Sequence, residues 1–261
     1  MSGSDKHLDR RSFLTRAAAT VGALAVGGCD PLSEKPWVQE VLASTEGRTM
    51  RAQRALLSSS ALAREYTEAD ISPQFRANGT TDPQEAEYQE LAANNFADWR
   101  LEVVGLVERP TRLSLDDLRQ FPARTQITRH DCVEGWSCIG QWTGPPLRMV
   151  LERVGLKPEA RFIVFRCADA LEASLDGSGQ YYESIDLVDA MHPQTILAHE
   201  MNGKPLPVAH GAPLRLRVER QLGYKMAKYV MQIEAVASFA EIGGGKGGYW
   251  EDRGYEWYAG I

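Results

Sequence analysis

Between Thr125 and Leu147 the chain reads TQITRHDCVEGWSCIGQWTGPPL, and no other stretch constrains the fold as much. Apolar and polar residues alternate from Thr125 to Thr128, the period of a half-buried strand. Cys132 stands at the end of that strand, ahead of a run with Gly135, Trp136, Gly140, Trp142 and Gly144 that reads as irregular. Glycine lets backbone come close to a bound group, so a thiol placed beside such backbone is a ligand position. A cysteine taken alone has another reading, that of a buried structural thiol.

Composition narrows the function classes. At 261 residues the chain suffices for one large domain or two small ones, and 43% apolar with 25% charged residues is ordinary for a globular protein. A net charge of −6 argues against nonspecific nucleic-acid binding as the main role. No apolar run approaches the roughly 18 residues of a membrane-spanning helix. The cysteines, at 29, 132, 138 and 167, form no C-x-x-C pair, which removes zinc ribbons, iron–sulfur spacings and covalent haem attachment.

Residues 1–28 read as an export signal: Asp9-Arg10-Arg11-Ser12-Phe13-Leu14 has the twin-arginine pattern, and a short apolar run follows from Ala17 to Val26. Val26-Gly27-Gly28-Cys29 is similar to a lipobox, which would make Cys29 a lipid anchor; cleavage after Ala23-Leu24-Ala25 is the competing reading. Residues 29–70 are expected to form a helical arm, with Trp37, Val38, Val41, Leu42, Leu56, Leu57, Leu62 and Tyr66 at helical spacing and a break at Gly47. Residues 71–83 read as a loop turning at Asn78-Gly79.

From Trp99 onward strands dominate. Leu101–Val104 and Leu106–Val107 read as a strand pair broken at Gly105, and Ser114 as the N-cap of a short helix. Leu147–Val154 is a helix closed by Gly155, and Arg161–Cys167 a buried strand. After an Asp176–Gln180 loop, Tyr181–Ile185 leads into a helix at Asp186–Ala190. Thr195–Leu206 has the pattern of a hairpin across Asn202-Gly203, and Leu214–Val218 and Tyr229–Val236 complete the sheet. Residues 241–261 form a Gly- and aromatic-rich tail. The class is α+β.

The segment HDCVEGWS, followed by W-x-G-x-P-L, resembles the sequence around the molybdenum-ligating cysteine of the sulfite oxidase family of molybdopterin oxidoreductases. The likeness is greatest to its small periplasmic branch, which includes the methionine-sulfoxide reductase catalytic subunit. Covering residues 71–240, it implies the family's molybdopterin-binding domain, with mixed and partly barrel-like β-sheets and short helices. It also implies a molybdenum–molybdopterin cofactor with Cys132 as metal ligand.

A second cluster agrees with the first. Lys204, Arg215, Arg217, Arg220, Lys225 and Lys228 gather near Gly-rich turns in an otherwise acidic chain, either as holders of an anion or as a solvated basic face. HGAPLR (210–215) and GYKMAK (223–228) resemble the family's phosphate-binding segments. By position the resemblance assigns cofactor contacts to Asn78, Cys167, His210, Arg215, Lys225, Met226, Ala227 and Lys228, with Arg215 and Lys228 on the phosphate. His210 and Cys167 replace an asparagine and a threonine of the reductase branch, and Asn78 also reads as a plain turn residue. Tyr181 and Tyr182 are the candidates beside the substrate. Cys138 and Cys167 are either buried thiols or one disulfide. Val133-Glu134-Gly135-Trp136, where sulfite oxidases carry a basic run, matches the reductase branch. These features describe an exported oxidoreductase that moves an oxygen atom to or from a small sulfur-containing substrate. A cytochrome or membrane haem protein would exchange its electrons. The rival is a lipid-anchored binding protein that keeps the fold without catalysis.

Overall fold

The computed structural model describes residues 35–172 and 179–261; the export signal, Cys29 and most of the 176–180 loop lie outside them. The chain divides into two compact units after Arg51. The first contributes most of helix α1, Pro36–Leu56. That helix runs through Gly47 without the expected break, since one interior glycine costs about 1 kcal/mol against alanine and the turns around it tolerate that. No helix among the described residues is long and apolar enough to cross a membrane.

The second unit, residues 52–261, holds the sheets. Residues 57–70 are not helical beyond a single turn at Glu68–Asp70, because the backbone is claimed by the sheet: Glu65 bridges Thr128, and the Tyr66 N–H donates to Ile127 O at 2.8 Å. In chain order follow α2 (Ala86–Ala93), β1 (Leu101–Gly105), β2 (Thr111–Leu113), α3 (Leu115–Arg119), β3 (Arg124–Asp131), β4 (Ser137–Gly144), α4 (Leu147–Val154) and β5 (Phe162–Ala170). Then come β6 (Gln180–Asp186), α5 (Leu187–Ala190), β7 (Ile196–Ala198), β8 (Glu200–Met201), β9 (Lys204–Pro205), β10 (Arg215–Arg217) and β11 (Val230–Val236). Three sheets result: β2-β1-β11-β5-β6, β3-β4-β8-β9 and β10-β7. They stay open, so the partly barrel-like expectation is corrected; among the described residues only β1 and β11 pair in parallel. The main core packs the five-stranded sheet against α4, with Leu101, Val103, Leu147, Val150, Leu151, Ile163 and Phe165 buried.

Several local expectations hold for stated reasons. Ser114 caps α3 through a reciprocal capping box with Asp117, and Gly155 ends α4 at φ +72°. Asn202 and Gly203, both at positive φ, make the two-residue turn between β8 and β9. Other expectations change. Leu106–Val107 is not a second strand: Gly105 turns the chain at φ +83°, tight against Ala235, and β2 is the partner of β1. The hairpin is shorter than Thr195–Leu206, because β7 turns away to pair with β10. Gly140, Trp142 and Gly144 sit in strand β4, not in an irregular run. A side chain at Gly144 would meet the Leu197 carbonyl at 2.0 Å, so this glycine serves close sheet packing.

Candidate functional site

β3 delivers Cys132. Its pairing with β4 is unbroken from Arg124 opposite Gly144 to Asp131 opposite Ser137. Side chains alternate, so Gln126, Thr128 and His130 point inward, and Cys132 keeps the same parity just beyond the strand. A tight turn follows: the Gly135 N–H donates to Cys132 O at 3.0 Å, and the Cys132 N–H to Trp136 O at 2.9 Å. The thiol is 9% exposed, and burial pushes it up while the N–H groups of Glu134 and Val133 pull the other way. A thiolate there gains from a cation beside it.

Next to it His130 is fully buried, held well below its usual range by burial and by Arg217 and Arg215, and therefore neutral. Arg217 Nη1 donates to His130 Nδ1 at 3.1 Å, which leaves the proton on Nε2. Gly223 lies against this ring; a Cβ there would come within 2.3 Å of it. The turn Gly223–Lys225 is thereby pressed onto the segment that carries the cysteine.

A cavity of about 130 Å³ opens at Cys132, and Asn78, Tyr181, Met226 and Lys228 line it too. Five of the candidate residues thus meet in one place. Asp169, Trp250 and Tyr255 also line it and escaped the sequence reading. Asp169 lies on β5 beyond the run that reads as buried, and the two aromatics sit in the presumed tail. Of the two tyrosines, Tyr181 lines the thiol cavity and Tyr182 does not. The Tyr181 hydroxyl donates to Tyr224 O at the cavity, and Tyr181 also borders a neighbouring groove of about 770 Å³; Tyr182 lines that groove and donates to Asp252 at 2.5 Å. Tyr182 is therefore placed away from the thiol cavity. Cys167 lines that larger groove as well.

The basic cluster divides: Arg215, Arg217, Lys225 and Lys228 are buried, Lys204 is exposed, and the half-buried Arg220 pairs with Asp189 at 2.7 Å. Lys225, a candidate cofactor contact, has its Nζ taken up by the buried carboxylates of Glu183 and Glu251. Arg217 is held by Glu219 at 2.7 Å. Arg215 and Lys228 have no carboxylate within ion-pair distance among the described residues. Arg215 donates to His210 O at 3.0 Å and Met226 O at 3.5 Å, with its Nε unpartnered. Burial and Arg217 push it down to about 9. Lys228 Nζ reaches the carbonyls of Asn78 and Thr80, and burial with Arg215 pushes it down to about 7. An arginine does not lose its proton near neutrality, so the buried Arg215 calls for an anion, and an anion beside Lys228 would hold that lysine in its charged form. Asp169 is pushed up to about 6 by burial, against the pull of Lys228.

Of the remaining candidates, His210 packs edge-on to Phe75 at 5.6 Å and is pushed down to about 4 by burial, hence neutral. The Ala227 carbonyl accepts from Leu216 N–H at 2.8 Å. Cys132, Cys138 and Cys167 are free thiols, so Cys138 and Cys167 form no disulfide; Cys138 Sγ instead lies 3.8 Å from Gln74 O. A soft thiol at a cavity, with two unpaired buried cations behind it, is a donor set that fits a thiolate-ligated metal on a phosphorylated organic cofactor.

Residues 88–241 match the family model described as the oxidoreductase molybdopterin binding domain. The chain is 37% identical over 251 residues to YedZ1 of Azospira oryzae, named as a candidate protein-methionine-sulfoxide reductase subunit, covering 96% of this chain and 87% of that one. It is 34% identical over 245 residues to the protein-methionine-sulfoxide reductase catalytic subunit MsrP of Xanthomonas campestris, covering 89% and 71%. Among solved structures, the sulfane dehydrogenase SoxCD of Paracoccus pantotrophus aligns at a TM-score of 0.48 and 25% identity, over 54% of this chain and 39% of that one.

Proposed function

The chain belongs to the sulfite oxidase-type family of molybdopterin-binding oxidoreductases, and from that premise we propose that it binds molybdenum–molybdopterin at Cys132 and acts on a neutral sulfur compound of the sulfoxide class. When bound, such a cofactor supplies two-electron oxygen-atom transfer at sulfur. The observation that carries the reading is the meeting of the Cys132 thiol with Lys228 at one cavity, backed by the unpaired Arg215. Cys132 Sγ is the metal ligand. Arg215 and Lys228 hold the phosphate, and the Asn78 loop is fastened to Lys228 through its carbonyl at 2.6 Å. Tyr181 walls the cavity with its ring, its hydroxyl being committed to Tyr224 O. Reduction of a sulfoxide to a thioether consumes two electrons and two protons and releases water. Asp169, raised to about 6, is the cavity carboxyl able to hold such a proton near neutrality.

The relatives named as reductase subunits support the substrate class, and the word subunit in those names supports a separate redox partner, a cytochrome or membrane haem protein. The N-terminal sequence supports export by the twin-arginine route with a lipid anchor at Cys29. Replacing Arg10 and Arg11 by lysine then leaves the protein in the cytoplasm on fractionation; normal export would remove that part of the proposal.

The central test is a series of Cys132→Ser, Cys138→Ser and Cys167→Ser in protein from a molybdenum-replete host. Metal and pterin content, the Mo(V) paramagnetic signal and turnover are read together. The expected result is that only Cys132→Ser changes the signal and abolishes turnover. A wild-type signal and rate in Cys132→Ser would exclude it as the ligand. Wild-type protein that never acquires molybdenum would favour the binding-protein alternative.

A further inference from the structure

The family match ends at residue 241, yet the segment beyond it reaches the Cys132 cavity. The segment is fastened along β6. Gly248 bridges Glu183, the Tyr249 N–H donates to Tyr182 O at 3.0 Å, and Ser184 Oγ donates to Gly247 O at 2.5 Å. Glu251 is buried on Lys225 at 2.5 Å, and Asp252 accepts from the Tyr182 hydroxyl. A short turn then brings the Tyr255 N–H back to Trp250 O at 3.0 Å. Trp250 and Tyr255 consequently stack, with centroids 5.3 Å apart and planes 25° apart, and Tyr255 meets Tyr224 edge-on at 5.2 Å. All three rings line the cavity that holds Cys132. Trp250 is half-buried and Tyr255 is 38% exposed, so the stack keeps surface to offer a ligand.

The chemistry of this wall is selective. Aromatic faces are electron-rich, repel an anion and make favourable contacts with polarisable sulfur and apolar groups. Val133, Leu171 and Met226 extend the apolar surface, and Glu134 and Asp169 are the carboxylates on the same cavity. Lys228, the one cation among the described lining residues, is assigned to the cofactor phosphate and so is not free to draw in a substrate anion.

We infer that the Trp250–Tyr255 stack, supplied by the C-terminal segment, is the specificity-determining face for substrate: it seats the sulfur and apolar substituent of a neutral sulfoxide or thioether and disfavours a sulfite-like anion. This rests on the functional reading above and assigns that selectivity to residues outside the family's matched region. Glu251 and Lys225 act as positioning residues, holding the segment in place from below.

The experiment uses metal-loaded protein carrying Trp250→Ala, Trp250→Phe or Tyr255→Ala. Calorimetric titration with methyl phenyl sulfoxide, dimethyl sulfoxide and sulfite accompanies steady-state kinetics and molybdenum content. Trp250→Ala is expected to weaken methyl phenyl sulfoxide about tenfold in Kd and KM, the scale of losing one good aromatic and sulfur contact. Trp250→Phe restores most of that, Tyr255→Ala loses less, and dimethyl sulfoxide responds less than the aryl compound. Molybdenum content and kcat stay near wild type. Unchanged sulfoxide affinity in both alanine variants overturns the inference. So does wild-type protein that binds and oxidises sulfite while ignoring sulfoxides, although oxygen transfer at sulfur would then still stand. Sulfoxide binding that depends on Trp250 without turnover of any sulfur compound supports the inference and defeats the functional reading.

Discussion

Two sets of buried cations sit a few residues apart in sequence and behave in opposite ways. Lys225 lies between Glu183 and Glu251, and Arg217 is gripped by Glu219; each has its counter-charge folded in. Burial and the neighbouring Glu251 push the Glu183 carboxyl well up, against the pull of Lys225. Arg215 and Lys228 are also buried but are hydrogen-bonded to carbonyls and packed on aromatic rings, with no carboxylate within ion-pair distance among the described residues. The first set stabilises the fold and is finished when the chain folds. The second lacks an ion-paired carboxylate of its own among the described residues. Basic residues of one short run therefore divide by partner, not by exposure.

The comparison breaks most sharply at Lys225 and Arg217. Lys225→Met strands two buried carboxylates, and Arg217→Met strands Glu219; each should lower stability by about 3–5 kcal/mol. Urea denaturation of the apoprotein reads the loss, and adding Glu183→Gln with Glu251→Gln to Lys225→Met should recover part of it. Little loss in either single variant would mean that these ion clusters are not the fixed half of the contrast.

Arg215→Met and Lys228→Met should do the reverse. Apoprotein stability holds or rises, while cofactor retention falls roughly ten- to a hundredfold, about 1.5–3 kcal/mol for a charge-assisted contact. Pterin content under limiting cofactor measures it, and full occupancy in both variants would dissolve the distinction.

The pH dependence sharpens the contrast further. Lys228 has a folded pKa of about 7 against an ordinary 10.5, so between those values the unfolded chain binds a proton that the folded chain does not. Stability of the apoprotein should accordingly rise from pH 7 to 9, on the order of 1–2 kcal/mol, and Lys228→Met should flatten that part of the curve. A slope identical in wild type and variant would place the titration elsewhere.

The smallest effect is the most direct. Inorganic phosphate at about tenfold its Kd should stabilise the apoprotein by about 1.4 kcal/mol through mass action, and Lys228→Met should abolish the shift. Equal shifts in the two proteins would locate the anion elsewhere.

Much of this was legible in the sequence because local rules carried it. Ser114 and Asp117 announce a helix start, Gly155 a helix end and Asn202-Gly203 a tight turn, each through its own backbone chemistry. Cys132, Lys228 and Arg215 stood out by their motifs, and the fold brings the first two to one cavity. What stayed hidden depends on distant partners. Nothing within GYKMAK says that Lys225 is consumed by Glu183 and Glu251, which lie 42 and 26 residues away. Gly144 reads as a loop residue until Leu197 is laid against it. Trp250 and Tyr255 follow glycines that suggest a loose end, and only the contacts along β6 turn that end into a wall. Helix α2 was missed because its short, polar sequence has a single buried residue, Tyr88, and no marked apolar stripe.

The β3–β4 hairpin has a consequence for how such chains diverge. Its two strands are in step at every pair from Arg124 to Asp131, and inward and outward side chains alternate throughout. A single residue inserted or deleted within either strand would exchange the two faces between the change and the turn, bringing Arg129 inward and turning His130 out. Only the five positions from Cys132 to Trp136 escape that pairing. Drift in length is thus confined to the turn beside the thiol, while the strands beneath it vary by substitution alone. A lineage can reshape the rim of the cavity gradually, but it cannot slide the cysteine along its own strand.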